Sequence, residues 1–165
     1  VMVRDQKQLV GPCGLYCDIC TMHRAYHDQN LSLWQETPKN FRKQLGLEEI
    51  DFKDIACEGC RSSVLFKYCA ECSIRECVLG EKGLDWCYQC ENFPCQMLLD
   101  FQSYWCMPVV ENLRQILKLG LDTWLKRQDE KGGVHSALQS FTGFPSVSVP
   151  NVGETYRTLG KVNKT

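Results

Sequence analysis

The chain has 165 residues, room for one domain with appendages and a core of useful size, but not for a second large domain. Nineteen lysines and arginines stand against 20 aspartates and glutamates, a net charge of −1, so no overall field draws the chain to nucleic acid or an anionic membrane. No eighteen apolar residues run consecutively, and Val1 to Val10 mixes Arg4, Asp5, Gln6, Lys7 and Gln8 with apolar residues in a pattern wrong for a signal peptide, so a soluble cytoplasmic protein is expected.

In chain order, the cysteine group Gly11-Pro-Cys-Gly-Leu-Tyr-Cys-Asp-Ile-Cys20 opens the domain and leads into helix formers from Thr21 to Gln35. Thr37 and Pro38 read as an N-cap and first helical residue, and a helix from Pro38 to Leu45 would put Phe41 and Leu45 on one face and end at Gly46. The two helical stretches make a hairpin. From Cys57 to Cys95, glycines and cysteine knuckles dictate the backbone, and metal is expected to replace hydrophobic core. Within that block Cys69-x2-Cys72-x4-Cys77 and Cys87-x2-Cys90-x4-Cys95 form a weak internal repeat. Pro94 introduces a helix carrying Met97, Leu98 and Phe101 inward. Pro108 introduces the clearest one, Val109 to Leu119, with Val109, Leu113, Ile116 and Leu117 at helical spacing and Gly120 closing it. Asp122 caps a further short helix through Trp124 and Leu125. From Gly132 to Thr165 half the residues are Gly, Ser, Thr, Pro or Asn, the composition of a flexible or loosely attached tail.

The cysteines decide the class. They are Cys13, Cys17, Cys20, Cys57, Cys60, Cys69, Cys72, Cys77, Cys87, Cys90, Cys95 and Cys106, and four pairs have C-x2-C spacing. Two thiolates so spaced on a tight turn can both reach one ion at about 2.3 Å, whereas joining them closes a strained ring. A secreted disulfide scaffold would need an export signal and an oxidising compartment, and neither is indicated. Four-thiolate zinc is the default for such knuckles. A serial partition puts Cys57, Cys60, Cys69 and Cys72 at one ion and Cys77, Cys87, Cys90 and Cys95 at another. Cys13, Cys17 and Cys20 then need a fourth ligand, for which Cys106, His23 and His27 compete; crossed partitions stay open.

His23 and His27, one helical turn apart, have the spacing of surface or capping residues as much as of ligands. Trp34, Trp86, Trp105 and Trp124 are scattered in a way that suits packing around metal sites rather than an aromatic cage. The basic groups Lys39, Arg42, Lys43 and Lys118, Lys126, Arg127 read as solvated helix surface, and the carboxylates Glu48, Glu49, Asp51 and Asp54 as exposed polar chain. Cys13-x3-Cys17-x2-Cys20 has the spacing by which radical S-adenosylmethionine enzymes hold an iron–sulfur cluster. Those enzymes build their chamber from most of an α/β barrel, roughly 200 residues or more, and the alternation of strands and helices is missing here. No Gly-rich phosphate loop and no G-x-S-x-G elbow is present.

Cys-Gly-Leu-Tyr-Cys-x2-Cys at 13 to 20, Cys-Glu-Gly-Cys-Arg-Ser at 57 to 62, Cys-Ser-Ile-Arg-Glu-Cys at 72 to 77 followed by Lys82-Gly83, and Cys87-x2-Cys-Glu-Asn-Phe-Pro-Cys95 occur in this order. The chain thereby resembles the prokaryotic cysteine-rich proteins grouped as domain of unknown function 3795, from about Gly11 to Gln128. The resemblance implies zinc binding and no transferable activity, and it places every cysteine except Cys106 on a family cysteine. Members often follow the Trp-Leu-x-x-Gln segment, here Trp124 to Gln128, with another cysteine pair that this chain lacks, which makes two ions as plausible as three.

The sequence thus predicts a mainly α, zinc-stapled domain with little or no β-sheet over residues 9–128 and a tail over 129–165. Two or three Zn²⁺ ions are expected on the twelve cysteines, in a module that binds a protein or small molecule, with an enzymatic role left open. The alternatives are an iron–sulfur or redox enzyme using Cys13, Cys17 and Cys20, and, against the charge balance, a nucleic-acid-binding zinc module.

Overall fold

Short helices separated by cysteine-bearing turns make up the computed structural model, which describes residues 5–35, 39–44, 46–105 and 107–130. Among the described residues no strand forms, and Val10 pairs with Tyr16 in an isolated antiparallel bridge. No helix among them is long and apolar enough to cross a membrane. The expected tail from 131 onward, Thr37, Pro38, Leu45 and Cys106 lie outside the described residues.

A 3₁₀ turn over Gln6–Leu9, capped by the Asp5 carboxylate accepting from the Lys7 backbone N–H at 3.0 Å, precedes the first cysteine loop. The helix-forming stretch after Cys20 divides. Helix α1 covers Thr21–His27 and α2 covers Ser32–Gln35. Between them Gln29 adopts a positive φ of 49° and the Asn30 side chain accepts from Ser32 N–H, a local bond that competes with helix continuation. Helix α3, Lys39–Gln44, ends where Gly46 takes φ 65° and Leu47 N–H returns to the Arg42 carbonyl, so the glycine stop read from the sequence is present. Helices α4 (Lys67–Ala70) and α5 (Ser73–Arg75) are single turns beside Cys69 and Cys72, and α5 runs into a π-helical turn over Glu76–Glu81.

Helices α6 (Gln96–Trp105), α7 (Val109–Leu119) and α8 (Leu121–Glu130) pack in sequence. Pro108 stands at the N-cap of α7 and Gly120, at φ 78°, closes it. Two boundaries differ from the sequence reading: α6 starts two residues after Pro94, and α8 starts at Leu121, so Asp122 sits in its first turn, where its charge still favours the helix dipole. Leu117 shares the helical spacing without sharing the burial. The buried stripe of α7 is Val109, Val110, Leu113 and Ile116, and Leu117 is 61% exposed.

The main core gathers those α7 residues with Leu98 and Phe101 of α6, Trp124 and Leu125 of α8, and Val10 and Tyr16 from the first cysteine loop. Ile74, Val78, Trp86 and Cys87 join it, so the Cys57–Cys95 block contributes apolar surface as well as thiols; the expectation that metal simply replaces core there is corrected. A smaller core of Trp34, Leu47, Cys57 and Phe66 lies under α2, and Trp105 packs against both. Leu113 is fully buried, so Leu113→Ala should destabilise the metal-loaded chain by about 2–5 kcal/mol, read as a shift in its urea midpoint.

Candidate metal centre

Eleven of the cysteines fall within the described residues and all are free thiols. They come from four segments and sort into two groups by which thiols oppose one another's ionisation.

The first group joins Cys13, Cys17 and Cys20 to Cys57, Cys60, Cys69 and Cys72. Cys60 stands at its middle. The Cys17 thiol hydrogen-bonds to the Cys60 sulfur, and the Cys60 charge raises the pKa of each of the other six. A methyl group at Gly11 would lie 3.3 Å from the Cys60 sulfur and 3.4 Å from that of Cys13, so this glycine is packed between the two. Gly59, at φ 98°, lets the Cys57–Cys60 turn pass so close to the first loop that an added Cβ would come within 2.6 Å of the Gln8 carbonyl oxygen.

Electrostatics differ across this group. Burial pushes Cys20 up to about 11 and holds Cys13 and Cys69 well above the usual thiol range, and the bond to Cys60, then burial, does the same for Cys17. Cys60 alone is lowered, by the Cys17 hydrogen bond first and then by the guanidinium groups of Arg75 and Arg61. Arg75 Nε donates to the Cys60 carbonyl at 2.8 Å. Arg61, whose side chain is only 8% exposed, donates to the Val10 and Asp85 carbonyls and lies 4.4 Å over the Trp86 ring, which satisfies a charge the fold has nearly buried.

The second group is Cys77, Cys87, Cys90 and Cys95, which line one cavity of about 570 Å³. Burial, then the charges of Cys95, Cys77, Cys72 and Cys90, push Cys87 up to about 12. Cys13 senses the charge of Cys87, and Cys87 senses that of Cys72, so the two groups adjoin. Of the serial partition read from the sequence, the structure gathers the last four cysteines as one set. The earlier four it gathers with Cys13, Cys17 and Cys20, a crossing that spacing could not show because it depends on the tertiary approach of the two loops. Cys106 lies outside the described residues.

His23 is 3% exposed, and its Nδ1–H donates to the Cys57 carbonyl at 3.1 Å while Nε2 lies 3.7 Å from an Asp18 carboxylate oxygen. His27 Nε2 is 3.4 Å from Glu58 Oε2. The pair thus ties α1 to the Cys57 turn, a structural use that sequence reasoning left undecided. Trp34, Trp86 and Trp124 are buried, and the Trp34 indole N–H donates to the Leu47 carbonyl at 3.0 Å.

Among the described residues no three His, Cys, Asp or Glu side chains converge as a finished metal-binding group; the thiols are neighbours rather than a closed tetrahedron. The donor set nevertheless fits a thiophilic cation. Buried thiols that raise one another's pKa stay protonated by themselves, and a bound cation supplies the positive charge that makes each a thiolate. The family model described as a protein of unknown function (DUF3795) matches residues 9–100, more than half of the chain, and spans both cysteine groups. The chain belongs to the DUF3795 family. The DUF3795 match ends inside α6, so α7 and α8, which close the core over the first cysteine loop, lie beyond it. No curated protein and no solved structure matches the chain significantly.

Proposed function

We propose that this DUF3795 protein binds zinc through its cysteine groups, that these sites are structural, and that the helices they hold form a module for binding a protein or small molecule in the cytoplasm. The observation that carries this reading is the gathering of eleven cysteines from four chain segments into two adjoining sets that hydrophobic packing alone would not require. Zinc accepts four thiolates in a tetrahedron without redox activity and is the ordinary ion for C-x2-C knuckles. Cys77, Cys87, Cys90 and Cys95 would fill one such site. The seven thiols of the first group satisfy one ion outright and two only if a sulfur is shared, and Cys60 is the one placed to be shared. Cys106 remains a further candidate ligand.

The competing iron–sulfur or redox reading needs Cys13, Cys17 and Cys20 to hold a group with an open coordination position. Cys57, Cys60, Cys69 and Cys72 lie within electrostatic reach of those three and offer a fourth ligand, which favours a closed site. Metal analysis and a visible spectrum of anaerobically purified protein test the proposal: two or three zinc per chain and no visible band are expected. An intense brown absorption with stoichiometric iron would overturn it.

A further inference from the structure

The two cysteine groups differ in how solvent reaches them. Three of the first group, Cys13, Cys17 and Cys57, are only 5–7% exposed while Cys20, Cys60, Cys69 and Cys72 are half-buried, and Gly11 is packed between two of its sulfurs. The second differs in that all four of its cysteines line one 570 Å³ cavity, with Cys87 6% exposed and Cys77, Cys90 and Cys95 half-buried. Cys77 is held differently from the rest. It stands in the π-helical turn Glu76–Glu81, whereas Cys87 opens a 3₁₀ turn and is buried against the main core. The cavity wall also carries Glu71, Glu76 and Glu81 against Lys82, an excess of negative charge that raises the local concentration of cations.

We infer that Cys77, Cys87, Cys90 and Cys95 form an exchangeable site for a thiophilic divalent cation, loaded and unloaded through this acidic cavity, while the seven-cysteine group keeps its metal and the fold. This rests on the zinc reading above and adds a division of labour to it. Exchange is a ligand substitution. The Cys77 thiolate, the one on the least regular backbone, is displaced from the ion by an incoming donor and takes a proton from solvent, with no change in oxidation state. Cys87, Cys90 and Cys95 hold the ion meanwhile, so an acceptor carrying thiol or imidazole donors could receive it without the protein unfolding.

The zinc-loaded full chain mixed with a chromophoric chelator such as 4-(2-pyridylazo)resorcinol provides the test. One equivalent should leave in a fast phase with far-ultraviolet circular dichroism unchanged, and the remainder at least about tenfold more slowly. The Cys77→Ser chain should bind one zinc fewer, keep its helical signal and show only the slow phase. Neutralising the cavity with Glu76→Gln and Glu81→Gln should slow reloading by free zinc severalfold at low salt and leave the slow pool untouched. Release of all zinc in one phase with loss of helix, or a fast phase that survives Cys77→Ser, would overturn the inference while leaving the zinc reading intact. A purified chain that holds no zinc would overturn both.

Discussion

Stripping the metal from this protein with a strong chelator, or displacing it with an excess of a thiol-specific mercurial, is expected to abolish its helical circular dichroism. The reason lies in what supports the long helices. Helices α6, α7 and α8 have 10, 11 and 10 residues, each below the roughly 12–15 residues at which an isolated helix becomes even marginal in water. They gain stability by packing onto Val10, Tyr16, Ile74, Val78 and Trp86, all carried by segments that flank cysteines. Apparent binding free energy for a structural zinc is about 10–16 kcal/mol, against a net stability of about 5–15 kcal/mol for an ordinary domain. Losing the ion therefore removes the anchor of the platform as well as the platform's own turns.

The first group, which joins the N-terminal loop to the Cys57–Cys72 segment, should carry this effect. Cys60→Ser withdraws the sulfur in contact with Cys17 and beside Cys13, and should leave the protein unfolded or insoluble at neutral pH. A metal-free chain that keeps its helical signal and a cooperative thermal transition would show that the apolar core suffices alone. The reading of the cysteines as structural ligands would then fail.

Legibility from sequence followed the strength of local signals. Helix α7 was readable to the residue because Pro108, the apolar spacing and Gly120 agree, whereas the exposure of Leu117 was not, since it lies within the same helical arc as the buried residues and is left open only in the last turn. The Gly46 stop was readable for the same reason. The break between α1 and α2 was not, since it depends on the Asn30 side chain bonding to Ser32 in preference to helix continuation. The π-helical turn at Glu76–Glu81 has no periodic signature in six residues. For the candidate site, residue type and spacing identified the cysteines as a class, and the set from Cys77 to Cys95 could be grouped because it is local in the chain. Joining Cys13–Cys20 to Cys57–Cys72 required the approach of two loops whose only trace in the sequence is a pair of glycines, Gly11 and Gly59, at the points of contact.

Gly14→Ala should be the most damaging glycine substitution in the first cysteine loop. Its φ of 88° is strained for any other residue, and an added Cβ would lie 2.7 Å from the Val109 carbonyl oxygen and 2.9 Å from Leu113 Cγ. Neither neighbour can yield, because Val109 and Leu113 are fully buried in α7. Backbone strain of about 1–3 kcal/mol and overpacking of about 1–3 kcal/mol together predict a loss of about 2–6 kcal/mol. Gly83→Ala supplies the comparison, since Gly83 shares a positive φ of 60° but meets nothing within 4 Å, so only the backbone cost of roughly 1–2 kcal/mol should remain. The difference between the two urea midpoints isolates the clash. The loss at Gly14 should also reach the thiols, because the loop is pinned on both sides: Asn112 Nδ2 donates to the Gly14 carbonyl at 3.0 Å, and Cys87 N–H donates to the Pro12 carbonyl at 3.0 Å. Pushing Gly14 off α7 moves Cys13 away from Cys60, so Gly14→Ala should bind less zinc in the slowly released pool, whereas Gly83→Ala should bind as much as the parent chain. Equal zinc content and equal stability in the two variants would show that α7 does not hold the first cysteine loop in place.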